Sequence, residues 1–194
     1  MTLSLPIAPE ANELLHRSPL ALLLGMVLDQ QIPLERAFSA PYDLVQRLGH
    51  EPDAHELAEY DPEALTAVFG ERPALHRFPR AMAGRVQEVC RILVDRYDGD
   101  AANVWTDATT GKELLKRVGD LPGFGKQKAQ IFVALLGKQL GVRPDGWREA
   151  AGGYGEEGAY RSVADITDDG SLVKVREYKK QMKVAAKAGV PPGR

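Results

Sequence analysis

Apolar residues recur with the three-to-four-residue period of α-helices along most of this sequence. In GRVQEVCRILVDRYDG, at positions 84–99, the apolar side chains fall on one helical face: Val86, Val89, Cys90, Leu93, Val94 and Tyr97. The run LALLLGMVL from Leu20 to Leu28 is apolar on every side, which predicts a helix buried all round that ends near DQQIP. Sustained two-residue alternation, the pattern of half-buried strands, is missing from the sequence, so we expect an all-α fold.

Composition and cysteine usage narrow the class of protein. The chain has 194 residues and is 44% hydrophobic, enough for a substantial core. Its one cysteine, Cys90, cannot form an internal disulfide, and no Cys/His spacing predicts a metal site. The N-terminus lacks a basic start, and the longest apolar run is far shorter than the roughly 20 residues that span a bilayer. We therefore expect a cytoplasmic protein without a membrane segment.

Charge is unevenly distributed along the chain. The formal net charge is −2, which by itself gives no reason to expect nucleic acid. The last segment is nevertheless basic, and its lysines predict a local anion-binding face: Lys174, Lys179, Lys180, Lys183 and Lys187. An ordinary solvated helix face is the alternative for these residues.

The segment LPGFGKQKA, at 121–129, lies between two helical patterns and contains only a short turn. Two helices joined by so short a turn form a helix-hairpin-helix. Lys126 and Lys128 stand where the helix dipole is already positive, so they are unfavourable for the helix alone. A phosphate diester held by the backbone N–H groups around Gly123 and Gly125 would make them favourable. A glycine-capped helix end followed by a solvated lysine pair is the alternative.

These motifs resemble the helix-hairpin-helix-GPD superfamily of base-excision DNA glycosylases, specifically members without an iron–sulfur cluster. LPGFGKQKA is similar to the family's hairpin, and GVRPDGW is similar to its glycine/proline loop with an aspartate, here Asp145. That aspartate lies 18 positions after Gln127, the position that carries a catalytic lysine in some members. LLGMVLDQQI resembles the family's buried helix ending in a glutamine. The resemblance covers roughly residues 18 to 185.

The resemblance implies one domain over residues 1–194, a two-lobed helical bundle containing the hairpin. One helical lobe would span about residues 30–135, and a second lobe would combine 1–29 with 136–194. It also implies a monomer that acts on double-stranded DNA containing a damaged or mismatched base, and a monovalent cation bound by carbonyl groups of the hairpin turn. The DNA-binding residues would be Gly123, Gly125, Lys126, Gln127, Lys128, Gln30 and Gln31.

For catalysis, the resemblance assigns Asp145 as the carboxylate that stabilises positive charge on the sugar and orients water against it. Pro-Asp-Gly is also an ordinary surface turn, so Asp165 and Asp29 are the alternative carboxylates. Gln127 has no nucleophilic amine, and a helix turns the lysines on either side of it about 100° away. The sequence therefore predicts a monofunctional glycosylase that uses water.

Gln31 would fill the gap left by the extruded base, because an amide both donates and accepts hydrogen bonds. Alternatively, Gln30 and Gln31 mark only the point where a buried helix reaches water. Aromatic residues that could stack on the extruded base are Trp105, Trp147, Tyr42, Tyr154 and Tyr160. The sequence does not determine which base is removed: alkylated bases, uracil and mismatched bases all remain possible substrates. Two competing functions are a non-catalytic DNA-binding module or accessory repair protein, and a helical protein–protein adaptor.

Overall fold

The computed structural model describes residues 3–189, and it confirms the all-α prediction. Residues 1, 2 and 190–194 of the expected domain lie outside the described range. Ten α-helices follow one another in this range: α1 Pro9–Arg17, α2 Pro19–Leu28, α3 Leu34–Leu48, α4 Ala54–Glu59, α5 Pro62–Gly70, α6 Pro79–Tyr97, α7 Gly111–Gly119, α8 Lys126–Gln139, α9 Trp147–Ala151 and α10 Asp169–Lys187. Residues 3–189 contain no β-strand, and their isolated β-bridge joins Thr110 to Asp145.

Helix α2 is buried all round, as its sequence predicts. Every residue from Ala21 to Leu28 is buried, and α2 packs mainly against α3 and α1. Ser18 caps its start, because the Ser18 hydroxyl oxygen accepts a hydrogen bond from the Ala21 N–H. Gly25 permits close contact with α3, since a Cβ at this position would lie 2.8 Å from the Phe38 ring. The helix ends at Leu28 and is followed by the partly buried Asp29 and the exposed Gln30.

Helix α6 packs against α4 and α5. Four of the six residues named for its apolar face are buried, and Val94 and Tyr97 are partly buried. Gln87 on the same side donates to the carbonyl oxygens of Leu57 and Tyr60. Cys90 is fully buried, and this burial raises the pKa of its thiol to about 12. A thiol with such a pKa is not a nucleophile at neutral pH, so Cys90 is a core residue.

Helices α7, α8 and α9 form a connected group. Helices α7 and α8 pack against each other, and α9 packs against both of them. Helix α10 starts with a capping box in which Asp168 and Ser171 bond each other's backbone N–H groups. In the N-terminal part, α1 and α2 pack chiefly against α3. The division of the chain into two lobes at residues 29 and 136 stays a prediction.

In the described part of the chain, no helix is both long and apolar enough to pass through a membrane.

Candidate functional site

The turn between α7 and α8 is fastened to the core by two apolar side chains. Leu121 and Phe124 are buried, and the Phe124 ring lies 5.9 Å from that of Phe132, centre to centre. The Phe124 N–H donates to the Leu121 carbonyl oxygen at 3.1 Å, which closes the turn. Phe124 therefore anchors the turn to the core, whereas Gly123 and Gly125 on either side of it are accessible to solvent.

The outward side of this turn has the features of an anion site. Gly123 adopts a φ of 86°, a conformation that favours glycine. Gly125 precedes α8 without a side-chain cap, so the first N–H groups of this 14-residue helix stay free for a ligand. A Cβ on Gly123 would lie 2.8 Å from the Arg85 guanidinium, so a cation from α6 covers the turn. Lys126 is exposed beside it.

The turn forms one wall of a cleft of about 420 Å³ that is open to solvent. The end of α2, helices α6 and α8, and the middle of α10 form the other walls. The lining residues are Met26, Asp29, Gln30, Arg85, Gly123, Gln127, Lys128, Ile131 and Lys179. Of the seven residues that the resemblance implies for DNA binding, four line this cleft: Gln30, Gly123, Gln127 and Lys128. The structure adds Arg85, which the sequence analysis missed because it looks like any exposed residue of an amphipathic helix.

Lys128 points into this cleft, which corrects the expectation that the helix turns it away. Its Nζ donates to the Val27 carbonyl oxygen at 3.0 Å, at the end of α2. Burial lowers the pKa of Lys128 to about 8, against the opposing effect of the Asp29 charge. Helical geometry sets the direction of the Lys128 Cα–Cβ bond, but the long side chain reaches α2, and the position of α2 depends on the tertiary structure.

Asp29 shares the cleft with Lys128. Burial raises the pKa of the Asp29 carboxyl above its usual value, and the positive charges of Lys179 and Lys128 counteract that rise. A carboxylate that is partly desolvated and faces ammonium groups in a cleft is a candidate for catalysis. Of the three aspartates considered from the sequence, Asp29 is the one that lines this cleft.

Asp145 lies near the start of α7, at the end of the helical hairpin opposite to the turn. Its carbonyl oxygen accepts from the Gly111 N–H at 2.7 Å, at the start of α7. The nearby Trp147 ring covers Gly137, where a Cβ would lie 2.3 Å from the ring. Gln127 and Gly137 are separated by roughly 15 Å along α8 at 1.5 Å per residue. The exposed Asp145 side chain is therefore far from the cleft.

Asp165, the other alternative, has a structural role. Its carboxylate accepts hydrogen bonds from the backbone N–H groups of Arg161 and Ser162. It also pairs with Lys138 at 2.5 Å, and the Asp165 side chain is almost completely buried. These contacts use both carboxylate oxygens to fix the 161–166 segment against α8.

One of the proposed stacking aromatics contacts a cleft residue. The Gln127 Nε2 donates to the Tyr154 hydroxyl oxygen at 2.7 Å, which places Tyr154 beside the entrance of the cleft. The other four lie elsewhere: Trp105 packs edge-on against Phe132, Trp147 covers Gly137, Tyr42 packs against the core, and the Tyr160 ring lies under Lys174. Tyr154 thus becomes the aromatic candidate for the site.

The segment after α2 is held in an unusual conformation at the rim of the cleft. Gln31 has a φ of 57°, rare for a residue with a side chain, and it is exposed. The buried His76 supports it: its Nε2 bonds the carbonyl oxygens of Leu28 and Gln30 at 3.1 and 3.0 Å. The His76 Nδ1 accepts from the Phe78 N–H, so the ring is neutral with its proton on Nε2. Phe78 itself is 40% exposed next to this turn.

Backbone strain of this kind is usually retained where it serves a function. Replacing Gln31 with Ala is therefore expected to weaken binding to a duplex with a lesion more than binding to an undamaged duplex. The reason is that, in the role which the family resemblance implies for Gln31, its amide fills a gap that exists only in the lesion complex. Fluorescence anisotropy with both duplexes measures the two affinities, and equal losses would favour the view of Gln31 as a solvated helix end.

The model of the HhH-GPD superfamily of base excision DNA repair proteins matches residues 24–187 of this chain. The chain belongs to this superfamily. No curated protein and no solved structure gives a significant match. The matched range in this HhH-GPD protein contains the hairpin, the cleft and α10, so the elements that build the site are those of the family domain. Base excision repair makes DNA the ligand of this HhH-GPD protein.

Proposed function

We propose that this protein is a DNA N-glycosylase whose cleft receives an extruded nucleotide and whose catalytic carboxylate is Asp29. The observation that carries the proposal is that Asp29 lines the same cleft as Gly123 of the hairpin turn. A phosphate held at the turn would bring its own sugar within reach of the cleft. Extrusion is needed because the bond to be cut is inaccessible within a duplex.

In the proposed reaction the bond between the base nitrogen and C1′ of the sugar breaks, and the electron pair leaves with the base. Positive charge develops on the sugar, and the Asp29 carboxylate stabilises it electrostatically. A water oxygen then bonds to C1′, and its proton passes to Asp29 or to solvent. The products are the free base and an abasic sugar in an uncut strand.

Water, and not an amine, is the proposed nucleophile. Gln127 occupies the hairpin position at which a lysine would be required. Lys128 is protonated at neutral pH because its pKa is about 8, and its Nζ is hydrogen-bonded to Val27. We assign to this ammonium group the task of keeping Asp29 ionised in a partly desolvated cleft. The protein is then a monofunctional glycosylase that works as a monomer.

A cation at the hairpin turn is part of this proposal. Among residues 3–189, no group of three His, Cys, Asp or Glu side chains can hold a metal ion. The turn at 120–125 offers backbone carbonyl oxygens, which suit a weakly bound monovalent cation. Such an ion would add positive charge where the phosphate binds.

The ion pair in the cleft predicts a shift in pH dependence. Replacing Lys128 with Met removes a charge that lowers the pKa of Asp29, so this pKa should rise further. The carboxylate is then protonated at higher pH, and the acidic limb of the rate–pH profile should move to higher pH. Single-turnover rates between pH 5 and pH 8 measure this limb. Lys126→Met, at an exposed position, is the matched control and should leave the limb in place.

Excision itself is tested by single-turnover incubation with duplexes that each carry one lesion: uracil, hypoxanthine, a 3-methyladenine analogue, 8-oxoguanine or a G·T mismatch. Cleavage that appears only after hot alkali supports a monofunctional glycosylase and names its substrate. Strand breaks without alkali, or a protein–DNA adduct trapped by borohydride, would contradict water as the nucleophile. An inactive protein that binds DNA would instead be a non-catalytic module, which the remote position of Asp145 also favours.

A further inference from the structure

We propose that the exposed basic face of α10 is a second DNA-binding surface, which contacts the phosphates that flank the nucleotide in the cleft. This inference rests on the proposed function, because it takes the cleft as the place of the extruded nucleotide. Helix α10 carries six basic and two acidic side chains, although the whole chain has a net charge of −2. After Glu177, the helix has four lysines and no carboxylate up to its end at Lys187.

The packing of α10 leaves this charge available. Its buried residues, Ser171 and Val175, lie in the first half of the helix. The second half presents Lys180, Lys183 and Lys187 to solvent, and none of these three pairs with a carboxylate within residues 3–189. Uncompensated like charges at helical spacing of three and four residues repel one another, so they cost stability in the free protein. A polyanionic ligand would relieve that repulsion.

The position of α10 identifies the ligand. Lys179, in the middle of the helix, lines the cleft together with Asp29 and Gly123. Arg176 pairs with Glu35, which lies near the start of α3, so this part of α10 passes beside α3. The basic surface is therefore continuous with the proposed nucleotide site, and the helix extends away from the cleft toward Lys187. When one nucleotide of a DNA strand occupies the cleft, the neighbouring phosphates of the same strand would contact the basic face of α10.

The dimensions also fit a strand of DNA. Lys179, Lys183 and Lys187 are spaced by four residues and share one side of the helix. From Lys179 to Lys187 the helix rises roughly 12 Å, whereas phosphates of one strand advance about 3.4 Å along a duplex axis. The face can therefore accompany about three consecutive phosphates. Since lysine acts as a point charge on a flexible stem, these contacts would be independent of base sequence.

The salt dependence of DNA binding tests this surface, because each phosphate contact contributes about 0.9 to the slope of log affinity against log salt concentration. The test variant replaces Lys180, Lys183 and Lys187 with Gln, which preserves helix propensity. We expect its slope on a duplex containing a stable abasic-site analogue to be smaller by about 2 to 3 than that of the unmodified protein, the contribution of two or three phosphate contacts. The matched control replaces Arg91, Arg96 and Lys112 with Gln, the same charge change at exposed residues outside the cleft lining, and its slope should stay unchanged.

Equal slopes for the test and control variants would overturn the inference, and base excision by the unmodified protein would show that the proposed function stands without it. A smaller slope in the test variant alone would support the surface even if no lesion were excised, in which case the proposed function would fail separately. Sedimentation with phosphatidylcholine–phosphatidylserine vesicles tests whether an anionic membrane, instead of DNA, is the ligand of α10. Vesicle binding that the test variant loses, with an unchanged DNA slope, would assign α10 to a membrane surface and overturn the inference.

Discussion

Replacing Asp29 with Asn should lower the single-turnover excision rate on the order of 10²–10⁴-fold, the range for removing a general acid–base group. Asn has nearly the same shape as Asp but carries no charge, so it cannot stabilise the developing positive charge on the sugar. Binding of a duplex with an abasic-site analogue should persist, since the hairpin turn and the basic side chains around it are unchanged. Rates at saturating protein, together with anisotropy titrations, separate the two effects.

Asp145→Asn is the matched control for this experiment. The Asp145 side chain is exposed at the far end of the hairpin, and its structural contact is made by its backbone carbonyl oxygen. We therefore expect an excision rate within about twofold of the unmodified protein, which is less than 0.5 kcal/mol in activation free energy. The reverse pattern, with Asp145→Asn inactive and Asp29→Asn active, would return catalysis to the aspartate that the family motif assigns.

Replacing Gly123 with Ala should weaken DNA binding about tenfold to a hundredfold. A side chain at a φ of 86° is strained by about 1–2 kcal/mol. Its Cβ would also displace the Arg85 guanidinium, which lies 2.8 Å from that position. Relief of this strain distorts the turn and moves both the backbone N–H groups and the Arg85 charge away from the phosphate. Anisotropy at fixed salt concentration measures the loss.

Gly141→Ala provides a control with the same backbone strain and no contact with the hairpin turn. Gly141 has a φ of 72°, and nothing lies within 4 Å of an added Cβ. It follows the C-terminal end of α8, opposite to the turn. Both variants should lose about the same stability in urea unfolding, but only Gly123→Ala should lose affinity for DNA. An equal loss of affinity in both would attribute the effect to global destabilisation and remove the anion site.

The hairpin could be predicted from the sequence because the residues that form it are close together in the chain. Glycines that permit the turn, an apolar Phe124 between them and lysines at the start of α8 all fall within nine residues. The buried helix α2 and the basic α10 were equally readable, since apolar periodicity and charge are properties of short segments. Family membership followed from the same motifs, and the match over residues 24–187 bears it out.

The position of Asp145 relative to the hairpin turn could not be predicted in the same way. Sequence spacing favoured Asp145, but spacing does not say whether the chain after α8 returns to the turn. After α8 the chain first packs Trp147 on Gly137, at the far end of α8. It returns to the turn only at Tyr154, which contacts Gln127. The loop that carries Asp145 is thereby fixed to the start of α7. Packing of a large aromatic ring against a glycine, a contact between distant parts of the chain, decided the position of the carboxylate.

The sequence by itself determined the helices, the hairpin turn and the uneven distribution of charge, because each depends on neighbours within a few residues. The tertiary structure alone decided that Asp29, Arg85, Lys128 and Lys179, from four different helical segments, meet in one cleft. It also determined the ionisation of that cleft, since burial raises the pKa of Asp29 and lowers that of Lys128, and the opposite charges of the two groups counteract both shifts. Desolvation and Coulomb interactions depend on distances in space, and these distances exist only once the helices have packed.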